Sequence, residues 1–290
     1  MIPNLFIVGA ARCGTTSLAT LISSSERIWH PAIKEPKTLA IKSHSASLNG
    51  PGDRAAYANK PKNFEDYLNL YSSCRCEYAL DASTSYLYYA DEAIDNIRRI
   101  SSSPKIIIIL RDPVKRAVSQ YQLMLREGRE TLGFAEAIDR EPERIEQGWE
   151  YAWHYRSVGQ YLKHVHKYQN SGLNTLIITF EQLVQDTSQT AKRLNAFLQT
   201  DISSKALTKE NASNLTYPSW IQKLRQSTAV MRIAKNIPSA IKDNFKEEKL
   251  LNLGNEIDKS TVMQLEQFYK NEVVELKKAI DVQELGWSCE

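Results

Sequence analysis

The apolar residues of this chain fall into short unbroken runs, separated by longer stretches where they recur every three or four positions. Residues 5–8 read Leu-Phe-Ile-Val, and residues 105–110 read Lys-Ile-Ile-Ile-Ile-Leu. Runs of this kind, β-branched or aromatic and bounded by turn formers, predict strands buried on both faces, the habit of a parallel sheet. Residues 77–80 and 174–179 predict two further strands. Helical periodicity covers 91–100, 134–146, 157–168 and 187–198. Asp112-Pro113 predicts the start of another helix, with Asp112 as N-cap and Pro113 in the first turn. A first strand, loop and helix occupy about residues 4–24. Residues 42–63, holding Asn49-Gly50-Pro51-Gly52-Asp53, read as a long loop, a length that is unusual unless the loop covers a site or moves. Residues 203–218 read as polar and irregular, and the remainder as helical. Strand–helix alternation with crossovers of these lengths predicts an α/β fold, a central parallel sheet flanked by helices. No internal repeat or domain boundary interrupts the pattern, so a single domain over 1–290 is expected.

Composition narrows the function classes. The chain has 290 residues, 42% hydrophobic and 24% charged, as in ordinary globular proteins. A net charge of +3 is too weak to suggest nucleic acid, though it suits an anionic small ligand. The first apolar run has no basic segment before it and ends at a glycine loop, so it does not read as a signal peptide. The longest aliphatic run, 106–110, is too short to span a bilayer. Cys13, Cys74, Cys76 and Cys289 form no disulfide-like or zinc-like framework, which points to a reduced, cytoplasmic setting.

The segment richest in chemistry joins the first strand to its helix: Gly9-Ala10-Ala11-Arg12-Cys13-Gly14-Thr15-Thr16-Ser17. Its glycines let backbone N–H groups approach an anion, and the helix that follows directs its positive end at the same place. The spacing is G-x-x-x-x-G, but Thr15 and Thr16 stand where a nucleotide triphosphatase carries Lys and then Ser or Thr. The basic group lies inside the loop instead, as Arg12, which can neutralise an anion bidentately. A tight strand-to-helix turn would use the same glycines, but three hydroxyl residues and an arginine favour anion binding. A second constellation runs from Arg111 to Ser119. Arg111 leaves the C-terminal end of a buried strand, where ligands bind in open α/β sheets, and Ser119 lies about two turns into the next helix. Arg111 and Arg116 could equally be surface ion-pair residues. His164-x-His166 reads as a surface pair, Cys74 and Cys76 as ordinary thiols, and the Tyr86–Tyr89 and Trp149–Tyr155 aromatics as core and rim.

Taken together, the loop with its following leucine, Lys34-Glu35-Pro36, and Leu110-Arg111-Asp112-Pro113 through Ser119 resemble the sulfotransferase family. The bacterial members and the domains that modify heparan sulfate are the most similar. Gly159-Gln160-Tyr161 and the late Tyr217-Pro218 extend the resemblance over most of the chain. It implies a P-loop-like three-layer fold and 3′-phosphoadenosine 5′-phosphosulfate (PAPS) as sulfuryl donor, with adenosine 3′,5′-bisphosphate (PAP) as product and no metal. It also implies that Arg12, Cys13, Gly14, Thr15, Thr16 and Ser17 grip the 5′-phosphosulfate. Arg111 and Ser119 would hold the 3′-phosphate, and Tyr161 and Tyr217 would make further cofactor contacts.

By the same resemblance Glu35 is the base that takes the acceptor's proton, with Arg12 as its electrostatic partner in catalysis. On residue chemistry alone Glu35 is an ordinary surface carboxylate, and His30, which titrates near neutrality, is a second candidate base. Three departures stand out. Many relatives carry lysine at the position of Arg12 and often aromatic residues where this chain reads Lys37-Thr38-Leu39, and the heparan-modifying relatives carry a basic late loop where it reads Ser213-Asn214-Leu215-Thr216. The acceptor is expected to be a soluble small metabolite, or alternatively a saccharide. A P-loop kinase and a nucleotide-binding module without catalysis are the competing classes.

Overall fold

In the computed structural model, which describes residues 1–207, 257–280 and 285–289, five strands form one parallel sheet. They are β1 (Leu5–Gly9), β2 (Ile28–Trp29), β3 (Tyr78–Asp81), β4 (Lys105–Leu110) and β5 (Asn174–Thr179), in the order β2-β3-β1-β4-β5. The two apolar runs take the central positions. Every residue of 5–8 and of 106–110 is fully buried, as expected of strands covered by helices on both faces. β4 and β5 pair in continuous register from Lys105↔Asn174 to Leu110↔Thr179, whereas β1 shifts register against β4 between Ile7 and Gly9.

The helices in chain order are α1 (Thr15–Ile22), α2 (Ile41–Ser45), α3 (Asp53–Tyr57), α4 (Phe64–Asn69), α5 (Ala90–Ile100) and α6 (Pro113–Arg126). They continue with α7 (Phe134–Asp139), α8 (Glu141–Glu146), α9 (Leu162–Asn170), α10 (Phe180–Gln185), α11 (Thr187–Leu198) and α12 (Lys259–Ala279). α5 packs on α9, α12 covers both α9 and α6, and α1 packs on β1. The chain leaves β1 first toward β3 and then returns to β4 on the other side. That reversal puts the topological switch point, where open α/β sheets bind ligands, at the C-terminal end of β1. Among the described residues, no helix is long and apolar enough to cross a membrane.

Several expected elements differ in detail. The stretch 42–63 is not one loop, since α2 and α3 interrupt it; helices of five residues are too short to display a 3.6-residue period. One helix over 134–146 becomes two, α7 and α8, broken at Arg140. Pro142 lacks an N–H and its ring would clash with the carbonyl four residues earlier. The helix expected from 157 begins as a 3-10 turn (Ser157–Gly159), and α9 starts only at Leu162. At Gly159 a Cβ would come within 2.5 Å of the Tyr269 hydroxyl, so α12 approaches this turn too closely for a side chain. α10 was not expected; a reciprocal capping box between Thr179 and Gln182 starts it directly at the end of β5. His164 is buried on the inner face of α9 while His166 faces outward, which corrects the surface reading for His164. Arg116 is buried as well and is no surface ion-pair residue.

Candidate active site

The loop after β1 is shaped by two glycines. Gly9 has φ 148°, and a Cβ there would lie 2.7 Å from both the Leu87 Cβ and the Thr84 carbonyl oxygen. Gly14 has φ 85°, and its Cβ would enter the Phe180 ring at 2.5 Å. Both need a residue without a side chain. Between them Arg12 is held in the left-handed region, and Ala10 N donates to the Ile109 carbonyl at 2.7 Å, tying the loop to β4. α1 begins at Thr15 with no side chain capping its N-terminus, so its positive end is presented beside Thr15, Thr16 and Ser17.

Arg12, Arg111 and Ser119, far apart in sequence, meet here. Arg12 Nε donates to Ser119 Oγ at 3.2 Å, and Arg111 Nη1 donates to the Arg12 carbonyl at 3.3 Å. The Arg111 guanidinium sits over the Phe180 ring, 4.7 Å from its centroid, with its Nε buried and unpartnered. Burial first, and then the charges of Arg126 and Arg111, push the Arg12 guanidinium down to about 10, still a cation at neutral pH. The fully buried Arg116 adds a further charge; its guanidinium donates to the Tyr155 carbonyl, while its Nε has no partner. Arg12 and Arg111 at the glycine loop, with the buried Arg116 behind them, give it a positive charge that suits an anion.

Cys13 is fully buried, with Sγ 3.6 Å from the Tyr161 hydroxyl. Burial pushes its thiol up to about 11, so it is protonated and unfit as a nucleophile at neutral pH. Tyr161 in turn donates to the Arg111 carbonyl at 3.0 Å, bracing the end of β4. Tyr217 lies outside the described residues, as do Ser213, Asn214, Leu215 and Thr216.

Glu35 lies on the other side of the first turn of α1. A cleft of about 200 Å³ is lined there by Thr15, Thr16, Ala19 and Thr20 of α1, by residues 30–36, and by Leu80 and Ala82. The structure therefore brings Glu35, His30 and the hydroxyl end of the loop to one cavity. Lys34 Nζ donates to Thr16 Oγ1 at 2.7 Å, a cation at the start of α1 that sequence reasoning did not single out. His30 Nδ1 lies 3.1 Å from the Pro31 carbonyl oxygen.

The turn carrying Glu35 is left-handed at both Glu35 (φ 50°) and Lys37 (φ 61°). It is fixed from β3: Lys37 N donates to Ser83 Oγ at 3.0 Å, and Ser83 donates to Asp81 at 2.6 Å. Tyr67 and Tyr86 donate to the other Asp81 oxygen at 2.8 and 2.9 Å. Burial pushes the Asp81 carboxyl up to about 6, against the pull of these three hydroxyls. Lys37 Nζ lies 3.9 Å from Glu35 and 3.6 Å from Glu150, over the rings of Tyr57 and Tyr151. Burial by itself would lower its pKa, but Tyr151, Glu150 and Glu35 together hold it above the ordinary lysine value. Lys37, Asp81, Ser83 and Glu150 were not anticipated in this role. The sequence offered only the hydroxyl-rich Asp81-Ala82-Ser83-Thr84-Ser85 after a strand as a signal.

Comparison with known proteins fits this geometry. The sulfotransferase domain model matches residues 3–279. A sulfotransferase from Alicyclobacillus acidocaldarius is 28% identical and superposes with a TM-score of 0.76, with 99% of each chain covered. A mouse sulfotransferase crystallised with PAP is 15% identical with a TM-score of 0.50, covering 96% of this chain and 87% of its own; it shares the fold. No curated protein matches the sequence.

Proposed function

The chain belongs to the sulfotransferase domain family, and from that premise we propose that it moves a sulfuryl group from PAPS to a hydroxyl or amine of an acceptor. We read residues 1–290 as one catalytic domain. The observation that carries the choice of donor is the meeting of Arg12, Arg111 and Ser119 at the glycine loop. A donor with phosphates at both the 5′ and the 3′ position needs charge at two places. The chain offers the uncapped start of α1 with Thr15, Thr16 and Ser17 for one, and Arg111 with Ser119 for the other. The unpartnered, buried Nε of Arg111 is an N–H lacking the acceptor that a phosphate oxygen would supply.

In this reading the acceptor's oxygen or nitrogen attacks sulfur, its bond to sulfur forms, and the bond from sulfur to the 5′-phosphate oxygen breaks. The acceptor's proton goes to Glu35, and PAP leaves with the electron pair. Arg12 and the amides of 12–17 stabilise charge that grows on the sulfuryl and phosphate oxygens, the electrostatic logic that also governs phosphoryl transfer. Arg12 keeps its cation throughout and acts by charge, because a guanidinium is a poor proton donor. Tyr161 and Cys13 support the loop from beneath. The cleft of about 200 Å³ beside Glu35 is below the roughly 300–1,000 Å³ of pockets for drug-sized ligands, which supports a small-metabolite acceptor over a saccharide. The cysteines at 13, 74, 76 and 289 are free thiols, which supports a reducing compartment such as the cytoplasm.

Glu35→Gln tests the assignment. It should leave PAP affinity unchanged and lower turnover roughly 10²–10⁴-fold, the usual contribution of a positioned base. Arg12→Ala should weaken both PAP binding and turnover, since its charge acts in ground and transition states. Near-normal turnover by Glu35→Gln, with an acceptor of high pKa and chemistry limiting the rate, would move the base to His30.

A further inference from the structure

Resting on the reading of Glu35 as the proton acceptor, we propose that Lys37 is a positioning residue. Its ammonium, seated in a buried cage, holds the Glu35 carboxylate in place at the edge of the cleft.

The first support is the backbone. Glu35 and Lys37 both adopt left-handed φ on either side of Pro36, a strained arrangement that persists only when the surroundings over-determine it. They do: the Lys37 N–H is fixed to Ser83, Ser83 to Asp81, and Asp81 also accepts from Tyr67 and Tyr86. This chain of bonds sets the directions in which the Glu35 and Lys37 side chains leave the turn.

The second support is the cage. Glu150, 2% exposed, lies 3.6 Å from Lys37 Nζ and accepts hydrogen bonds from the Tyr57 hydroxyl at 2.9 Å and from Ala152 N at 3.1 Å. Tyr57 and Tyr151 place their rings 4.6 and 5.3 Å from the same ammonium. With Glu150 fixed behind it, the ammonium meets Glu35 in front at 3.9 Å, an ion pair without a hydrogen bond, in which charge alone holds the carboxylate.

The third support is what else faces Glu35. Lys34 is bonded to Thr16, and Lys60 donates to the Lys34 carbonyl. Asp81 is held by its three hydroxyls, and His30 shares the cleft with its Nδ1 beside a carbonyl. Among the described residues, Lys37 is the ion-pair partner of Glu35.

Lys37→Met alone would strand Glu150 as a buried charge, so the double variant Lys37→Met/Glu150→Gln, which removes both charges, is the working test. The assay reads PAP released from PAPS in the presence of mixed alcohols, phenols and amines, beside PAP affinity by calorimetry. The double variant should bind PAP as the wild type does and lose turnover about 10–100-fold, the cost of a misplaced catalytic group. Lys37→Arg, which keeps the charge, should restore most of the turnover. A folded double variant with wild-type turnover overturns the proposal. So does a Lys37→Arg enzyme as slow as the double variant, because packing would then explain the loss. Failure of the underlying reading looks different: Glu35→Gln would itself keep its turnover.

Discussion

Replacing Arg111 by alanine separates a site for PAP from a site for any nucleotide. The side chain carries little of the fold: one hydrogen bond to the Arg12 carbonyl at 3.3 Å and a stack on Phe180, with Nε unpartnered. A charge-assisted contact to a phosphate is worth roughly 1.5–3 kcal/mol, so its loss should weaken PAP binding about 10–150-fold. ADP has no 3′-phosphate and should bind the variant as it binds the wild type. In a thermal-shift assay, ligand at 100 times its Kd adds about 2.7 kcal/mol to stability. A chain of 290 residues has an unfolding entropy of roughly 0.6 kcal/mol/K, so PAP should raise the wild-type Tm by about 4 °C. At the same PAP concentration the variant should gain only about 0.5–2 °C. If PAP and ADP shift the wild type equally, or if Arg111→Ala loses both ligands equally, the argument for a 3′-phosphate site fails.

Two further outcomes follow from the same geometry. Asp81 is raised from 3.8 to about 6 by burial, so its share of stability is complete below about pH 4 and is lost as pH rises through 6, on the order of 3 kcal/mol. Urea midpoints across this window should therefore fall more steeply for wild type than for Asp81→Asn, and parallel curves would show that Asp81 is not raised. Turnover should survive excess EDTA, since Thr15 and Thr16 replace the Lys-Ser/Thr pair through which a P-loop enzyme holds Mg²⁺; loss on chelation with rescue by Mg²⁺ would favour a kinase.

Local sequence carried the sheet and part of the site, and the reasons are physical. β4 and β5 could be bounded to the residue because each is a short β-branched run between turn formers, β4 buried and β5 a half-exposed edge strand. The start of α6 was equally plain: Asp112 accepts from Val114 N and Lys115 N at 2.9 and 3.1 Å, and Pro113 needs no donor. The glycine loop was marked by a local motif and Arg111 with Ser119 by the spacing that the family resemblance implies, whereas the strand order that brings the two together depends on pairing between distant residues. What stayed hidden depends on contacts across long separations. Lys37 is charged and caged because Glu150 and Tyr151 arrive from more than a hundred residues away. Nothing around Asp53 announces that its carboxylate accepts from Trp153 Nε1 and Glu150 N, the bonds that fix α3 and with it Tyr57. His164 was misplaced for the same reason, because only the packing of α9 tells its inner face from its outer one.

The central claim is sulfuryl transfer itself, and labelled PAPS tests it most directly. Incubated with pooled cell metabolites, the protein should move the label into an organic sulfate while releasing PAP in equal amount, and Glu35→Gln should slow both together. Tight PAP binding with no label in any organic product, across alcohols, phenols and amines, would contradict the account and leave a nucleotide-binding protein without turnover.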